Sequence, residues 1–293
     1  MNHCYQRAEN GMLLFYCVSD YLVFFTHYCI LARRYKIKVL SLCLMPDHVH
    51  DSVLVNSSRN LSRFKQKVNS DFAKAHNPVC HFKGRLFEKS YGIAPKIGDK
   101  AERTNLIYVG NNGVERKLCK KAEEYRWSFI AYAISPNPFS DKLVIRNARW
   151  VMRCAVKEVK AYFKAGKPLN YTQLQRLSGP LNDSEKAQLV DYIISLYNVI
   201  DYKEAISRFD SYDMMLTAMH STTGSEHEIK EEYTGYSDSY YVKMARHVLQ
   251  IPGVEDVHDV LGWDHDRKWI LYQELRSRFN ATGKQIAKFL RLG

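Results

Sequence analysis

Two rhythms of apolar and polar positions alternate along the first 135 residues, and their order predicts an antiparallel sheet with helices laid against it. His3 to Arg7 reads as a first strand, and Asn10-Gly11 turns into a second short one, Leu13 to Tyr16. Ser19 or Asp20 then caps a helix running to about Arg34. Lys38 to Leu44 and Ser52 to Val55 are apolar and β-rich, so the intervening Met45-Pro46-Asp47-His48-Val49-His50 enters a strand through a proline turn. Ser57 and Ser58 open a helix to about Ala75, bearing Arg63, Lys65 and Lys67, either on a solvated face or against a nucleic-acid backbone. Leu86-Phe87 and Tyr91 to Pro95 suggest a hairpin or loop pair, and Asp99 caps a last helix that Gly113 should stop. This order is that of an α+β fold of ferredoxin-like type, an antiparallel sheet with helices on one face.

Beyond it the helical period takes over. Ser135-Pro136-Asn137-Pro138 marks a boundary, and Ala148 to Ala165, Asp183 to Tyr197, Tyr202 to Phe209, Ser211 to Met219, Tyr240 to Leu249 and Asp266 to Arg278 all read as helices. Ser221 to Ser237 reads as a connecting loop. The expected division is 1–135 for the sheet domain, 136–230 for a helical extension and 231–293 for an all-helical C-terminal region. In the tail, Thr282 caps a short helix whose Ile286, Ala287 and Leu290 face inward. That tail resembles the first part of a DnaA-like helix-turn-helix, whose recognition helix would follow Gly293; an ordinary helical hairpin fits the same residues.

Two side-chain pairs carry candidate chemistry. Residues two apart on a strand face the same way, so His48 and His50 point together while Val49 points away. Two such imidazoles make half of a divalent-metal site, although a His-x-His pair alone is most often surface decoration. Tyr108 and Asn112 are four apart on the last predicted helix and stack on one face, with Asn105 one turn earlier. The segment His76 to His81, broken by Pro78, reads as a loop without a fourth ligand and is not expected to hold a metal.

Charge sharpens the picture. The formal net charge is +12, and residues 1–145 hold 22 Lys and Arg against 12 Asp and Glu, so the positive field belongs to the part that carries the histidines. Such a field favours a polyanion, with nucleic acid the natural partner. Seven scattered Cys with no Cys-x-x-Cys argue for a reducing interior and against a disulfide framework. The apolar run from Gly11 to Ala32 is broken by Ser19, Asp20 and His27, too polar for a membrane span, and a cytoplasmic protein is expected.

Taken in order, Met45-Pro46-Asp47-His48-Val49-His50, then Gly84-Arg85-Leu86-Phe87-Glu88-Lys89, then Tyr108-Val109-Gly110-Asn111-Asn112-Gly113-Val114, then Tyr125-Arg126-Trp127-Ser128 resemble the motifs of the HUH single-tyrosine transposases. Within them the resemblance is to the REP-associated tyrosine transposases, and it covers roughly residues 1–135. It implies a metal-dependent single-strand DNA transposase in which His48, His50 and Asn112 hold Mg²⁺ or Mn²⁺ and Tyr108 is the nucleophile. It also implies a 5′-phosphotyrosine intermediate and a substrate that is single-stranded or hairpin DNA with REP-like palindromes. Monomer and helix-exchanged homodimer stay open. Arg85, Lys89, Lys96, Lys100 and Arg103 are the candidate DNA contacts. Two departures stand out: Gly113 replaces the family's Pro after Asn, loosening the helix end, and Asp51 replaces an apolar residue on the Val49 face, where an unpaired carboxylate is costly. The alternatives are a catalytically lapsed DNA-binding or regulatory protein on the same fold, and a metal-dependent phosphodiesterase that does not need the tyrosine.

Overall fold

The computed structural model describes residues 1–221 and 237–292, so most of the loop expected at Ser221 to Ser237 lies outside the described residues. Four strands, β1 (Asn2–Arg7), β2 (Lys38–Met45), β3 (His48–Leu54) and β4 (Gly92–Pro95), form one antiparallel sheet in the order β2-β3-β1-β4. With α1 (Val18–Arg34) between β1 and β2, and α2 (Ser58–Val79) between β3 and β4, this is the ferredoxin-like βαββαβ arrangement inside an α+β fold.

Register fixes which side chains share a face. Directly opposed residues of an antiparallel pair point the same way, and β1 pairs His3 with Ser52, Tyr5 with His50 and Arg7 with His48. One face therefore carries His48, His50, Ser52, His3, Tyr5 and Arg7, the other Val49, Asp51 and Val53. The helices α1 and α2 pack on the second face, as expected. A further helix, α3 (Asp99–Glu115), covers the first: Asn105 Nδ2 donates to Ser52 Oγ at 2.6 Å.

Several local expectations change. Leu13 to Tyr16 is not a strand, because the Leu14 and Phe15 amides both donate to the Pro46 carbonyl at the β2–β3 turn. Leu86-Phe87 supplies only an isolated bridge from Phe87 to Ala8. The cap of α1 is Cys17, one turn before Asp20, whose carboxylate accepts from the Tyr16 and Cys17 amides at 2.7 and 3.1 Å. Pro78 does not break α2, since it sits in the last turn and the Cys80 amide still reaches the His76 carbonyl. Asp51 is fully buried yet paired: Tyr28 donates to it at 2.7 Å and Lys65 forms an ion pair with it. Lys65 is thereby buried, and of Arg63, Lys65 and Lys67 it is the one that cannot meet a nucleic-acid backbone.

Gly113 does not end α3; it lies inside the helix, and a Cβ there would come within 2.8 Å of the Tyr125 ring. Tyr125 cannot simply give way, because its hydroxyl donates to the Leu44 carbonyl at 2.7 Å. Gly113→Ala is therefore expected to cost about 1–3 kcal/mol in urea denaturation.

The helices beyond the sheet are α4 (Trp150–Lys164), α5 (Tyr171–Ser178), α6 (Asp183–Tyr197), α7 (Tyr202–Ile206), α8 (Tyr212–Ser221), α9 (Ser239–Val248), α10 (His265–Arg278) and α11 (Gly283–Leu290). The sheet's core runs without a break through α1 into α4 and α6, joining Phe25 and Val39 to Met152, Val159, Ile193 and Tyr197. The buried Asp191 of α6 ties this seam, accepting from Arg126 at 2.8 Å and Tyr132 at 2.6 Å. A second core unites α9, α10 and α11 and takes Leu13, Tyr16 and Cys80 from the sheet domain. The Thr282 cap forms as expected, and Ile286, Phe289 and Leu290 are fully buried while Ala287 is only half-buried. Among the described residues no helix is long and apolar enough to cross a membrane.

Candidate active site between the sheet and the third helix

The two histidines meet as their parity on β3 requires, with ring centroids 4.8 Å apart and planes at 84°. Both are buried. Each ring's Nδ1 is engaged: His48 Nδ1 lies 2.5 Å from Asp47 Oδ1, and His50 Nδ1 is 3.0 Å from His3 Nε2. A carboxylate at one nitrogen of an imidazole fixes the tautomer so that Nε2 is the atom presented to a cation, the usual outer support of a metal-bound histidine. Asp47 is itself gripped by Lys288 of α11 at 2.5 Å. Burial would raise the Asp47 carboxyl, but the His48 ring and the Lys288 ammonium outweigh it and hold it well below the ordinary carboxylate range.

Tyr108 lies on the same side of the sheet as the histidines. Its ring packs edge-on against His50 at 5.4 Å and against His3 at 5.5 Å. The helix and strand run in step here: Asn105 meets Ser52 and Tyr108 meets His50, so one more helical turn pairs with two more strand residues. Four helical residues rise about 6 Å and two strand residues about 6.6 Å, so the next helical turn, which bears Asn112, runs on in the direction of His48. Asn112 is fully buried; its Nδ2 donates to the Tyr108 carbonyl at 2.9 Å, while its Oδ1 has no hydrogen-bond partner among the described residues. Leaving such an oxygen unsatisfied costs about 1–3 kcal/mol, and a divalent cation shared with two imidazoles would satisfy it. His48, His50 and Asn112 are neutral donors of the kind that suit a divalent metal, and Tyr108 lies on the face of the sheet that the histidines share.

His3 is the site residue that sequence reasoning missed. It is fully buried, stacked on His50 with centroids 5.2 Å apart, and edge-on to Tyr108. Only the β1–β3 register, a non-local fact, brings it there.

The candidate DNA contacts are dispersed. Lys100 and Arg103 are exposed on the first turns of α3, Lys96 is half-buried just before it, Lys89 is exposed, and Arg85 forms a bidentate surface pair with Glu9 at 2.9 and 2.6 Å. A cleft of about 750 Å³ opens instead beside Asp47 and His48, with Arg7, Arg116, Lys284 and Lys288 among its walls. Two of those four cations, Lys284 and Lys288, come from the C-terminal helix α11, and neither is among the DNA contacts expected from the sequence. The aromatic segment Tyr125 to Ser128 serves packing: Trp127 stacks on Tyr21 at 4.2 Å, and Ser128 Oγ donates to the Ala122 and Tyr125 carbonyls.

Asp238, at the start of α9, also lines this cleft. Burial, with the negative charge of Asp47 added, pushes its carboxyl up to about 6. A carboxyl raised on folding favours the protonated folded state, so its contribution is fully present below its unfolded value near 4 and is lost as pH rises through 6. Asp238→Asn should accordingly raise stability at pH 8 by up to roughly 3 kcal/mol and leave it unchanged near pH 3.5. Denaturant midpoints of the two proteins across that range provide the check.

No protein-family model matches the chain, and no curated protein matches it. A solved structure described as a REP-associated tyrosine transposase bound to a REP hairpin superposes with a TM-score of 0.40 at 14% identity, over 45% of this chain and 78% of that one, a distant likeness of fold.

Proposed function

We propose that the chain is a metal-dependent, single-tyrosine DNA strand transferase that nicks and rejoins single-stranded or hairpin DNA at short palindromes. The observation that carries this reading is the Tyr108 ring set against His50 and His3, on the sheet face that also carries His48. His48, His50 and Asn112 would hold the cation. Mg²⁺ or Mn²⁺ bound there would supply Lewis acidity at the scissile phosphate, and imidazole ligation favours Mn²⁺.

The chain's own groups do the rest. A phenol has an ordinary pKa of about 10, so Tyr108 needs help in losing its proton, and of the two imidazoles packed on its ring His3, which holds no cation in this reading, is the candidate base. The Tyr108 oxygen forms a bond to phosphorus as the bond from phosphorus to the 3′ oxygen breaks; the phenolic proton passes to base or solvent, and the departing oxygen takes one up. The product is a 5′-phosphotyrosine with its bond energy kept, so a second 3′-hydroxyl reverses the step and joins a new strand. Arg7, directly across from His48, and Arg116, Lys284 and Lys288 around the cleft suit the flanking phosphates. The substrate must be unpaired at the cut, because a stiff duplex backbone does not reach a tyrosine recessed between helix and sheet.

One observation favours a second reading, a DNA-binding or regulatory protein without turnover: Tyr108 is only 4% exposed and His48 only 3%. The test is to incubate the full chain with Mn²⁺ and labelled hairpin DNA carrying single-stranded flanks. A label that stays on the protein through denaturing gel electrophoresis supports strand transfer. Salt-sensitive binding with no such adduct in either metal supports the second reading and overturns the first. Cleavage without an adduct supports the phosphodiesterase reading.

A further inference from the structure

The sheet domain and the C-terminal helices meet at a second cluster of metal-ligating side chains, unrelated to the site above. Cys17, the cap residue of α1, faces Asp256 and His258, which open a 3-10 turn at Val257–Gly262. One ligand atom from each of the three lies within 4.8 Å of the others. His258 is 1% exposed, and its two ring nitrogens are treated differently. Nε2 is 3.1 Å from Asp20 Oδ2, and Asp20 in turn accepts from the Tyr171 hydroxyl at 2.6 Å. Nδ1 lies 2.5 Å from Asp256 Oδ1, an ion-pair contact.

Both ring nitrogens thus face a carboxylate, one anchored in the core and one half-exposed. A metal-bound imidazole donates its other N–H to a carboxylate that is itself anchored, as Nε2 does to Asp20. On the other side, Nδ1, the half-exposed Asp256 carboxylate and the Cys17 thiol lie close enough to close around a cation that takes the place of the Nδ1 proton. We propose that Cys17, Asp256 and His258 bind one zinc-class cation. A thiolate and a carboxylate balance the two positive charges, the sulfur selects a soft metal over Mg²⁺, and three protein ligands leave one tetrahedral position for water. The Asp256 side chain is 49% exposed, which provides the route in for both metal and water. Bound there, the ion staples residues 239 apart in the chain, linking the start of α1 to the core that presents α11, and with it Lys288, to Asp47.

The proposal is independent of any DNA chemistry. Chelator-stripped full-length protein is titrated with Co²⁺, whose thiolate-to-metal charge-transfer band in the near ultraviolet reports a bound cysteine, and Zn²⁺ is then added. The wild type should show the band at one equivalent and lose it to Zn²⁺. Cys17→Ser should abolish it, and Asp256→Asn, at a half-exposed position that tolerates the change, should weaken Co²⁺ binding tenfold or more. His48→Ala with His50→Ala should leave the band intact, since that site has no sulfur. Absence of the band in folded wild-type protein overturns the proposal, as does its full retention in Cys17→Ser, which would place the sulfur elsewhere, with Cys80 and its 3.2 Å partner His76 the nearest source.

Discussion

Tyr108→Phe is expected to remove every denaturant-resistant protein–DNA adduct while leaving hairpin binding and the folded structure intact. The substitution deletes one oxygen and keeps the ring that packs edge-on against His3 and His50, so the loss cannot be assigned to collapse of the site. No other nucleophile substitutes at the same phosphate: Tyr125 already donates its hydroxyl to the Leu44 carbonyl, and water attack would cut without leaving DNA on the protein. The expected effect is therefore an all-or-none loss of adduct rather than a slowed rate. Tyr5 is the control, since its ring lies on the same sheet face, 6.3 Å from His50. An adduct that survives Tyr108→Phe and vanishes in Tyr5→Phe would move the nucleophile to β1, and one that survives both would defeat the tyrosine assignment.

How much of this site was legible in the sequence follows from which interactions are local. The pairing of His48 with His50 rests on strand alternation, and that of Tyr108 with Asn112 on one helical turn; both are short-range rules, the histidines face together, and α3 runs unbroken through the second pair. The ferredoxin-like order of elements was legible for the same reason. The face that α3 covers was not, because it depends on Asn105 finding Ser52 across 53 residues. His3 was invisible because only the β1–β3 register brings it to His50, and the Lys288 grip on Asp47 because it spans 241 residues. The cluster of Cys17, Asp256 and His258 is hidden for the same cause, since its members lie on distant segments, whereas His76 to His81 is a single run. Leu13 to Tyr16 departs in the opposite sense, a short continuous apolar run of which the Leu14 and Phe15 amides are taken by a turn carbonyl instead of a neighbouring strand.

Lys65 was the other misreading, and it leads to the largest expected change in stability. Lysines are rarely buried, so a Lys between Arg63 and Lys67 on a helix reads as part of a solvated or DNA-facing row. Here Asp51 dictates otherwise, because it lies on the inner sheet face with no exposure, and Lys65 from α2 supplies the counter-charge while Tyr28 from α1 adds a hydrogen bond. Lys65→Met keeps the aliphatic length and removes the ammonium, leaving a fully buried carboxylate with the Tyr28 hydroxyl as its remaining support. Stranding one partner of a buried pair in this way costs about 3–5 kcal/mol, a large share of the stability of most domains. Replacing both partners removes the stranded charge, so Asp51→Leu combined with Lys65→Met should recover most of that loss and can equal the wild type. Urea denaturation of the four proteins in this double-mutant cycle measures the coupling directly. Additive losses would show that Asp51 draws no net support from Lys65, whereas the expected rescue would show that an acid on the inner face is tolerated only because α2 presents a lysine opposite it, leaving the outer face to the histidines.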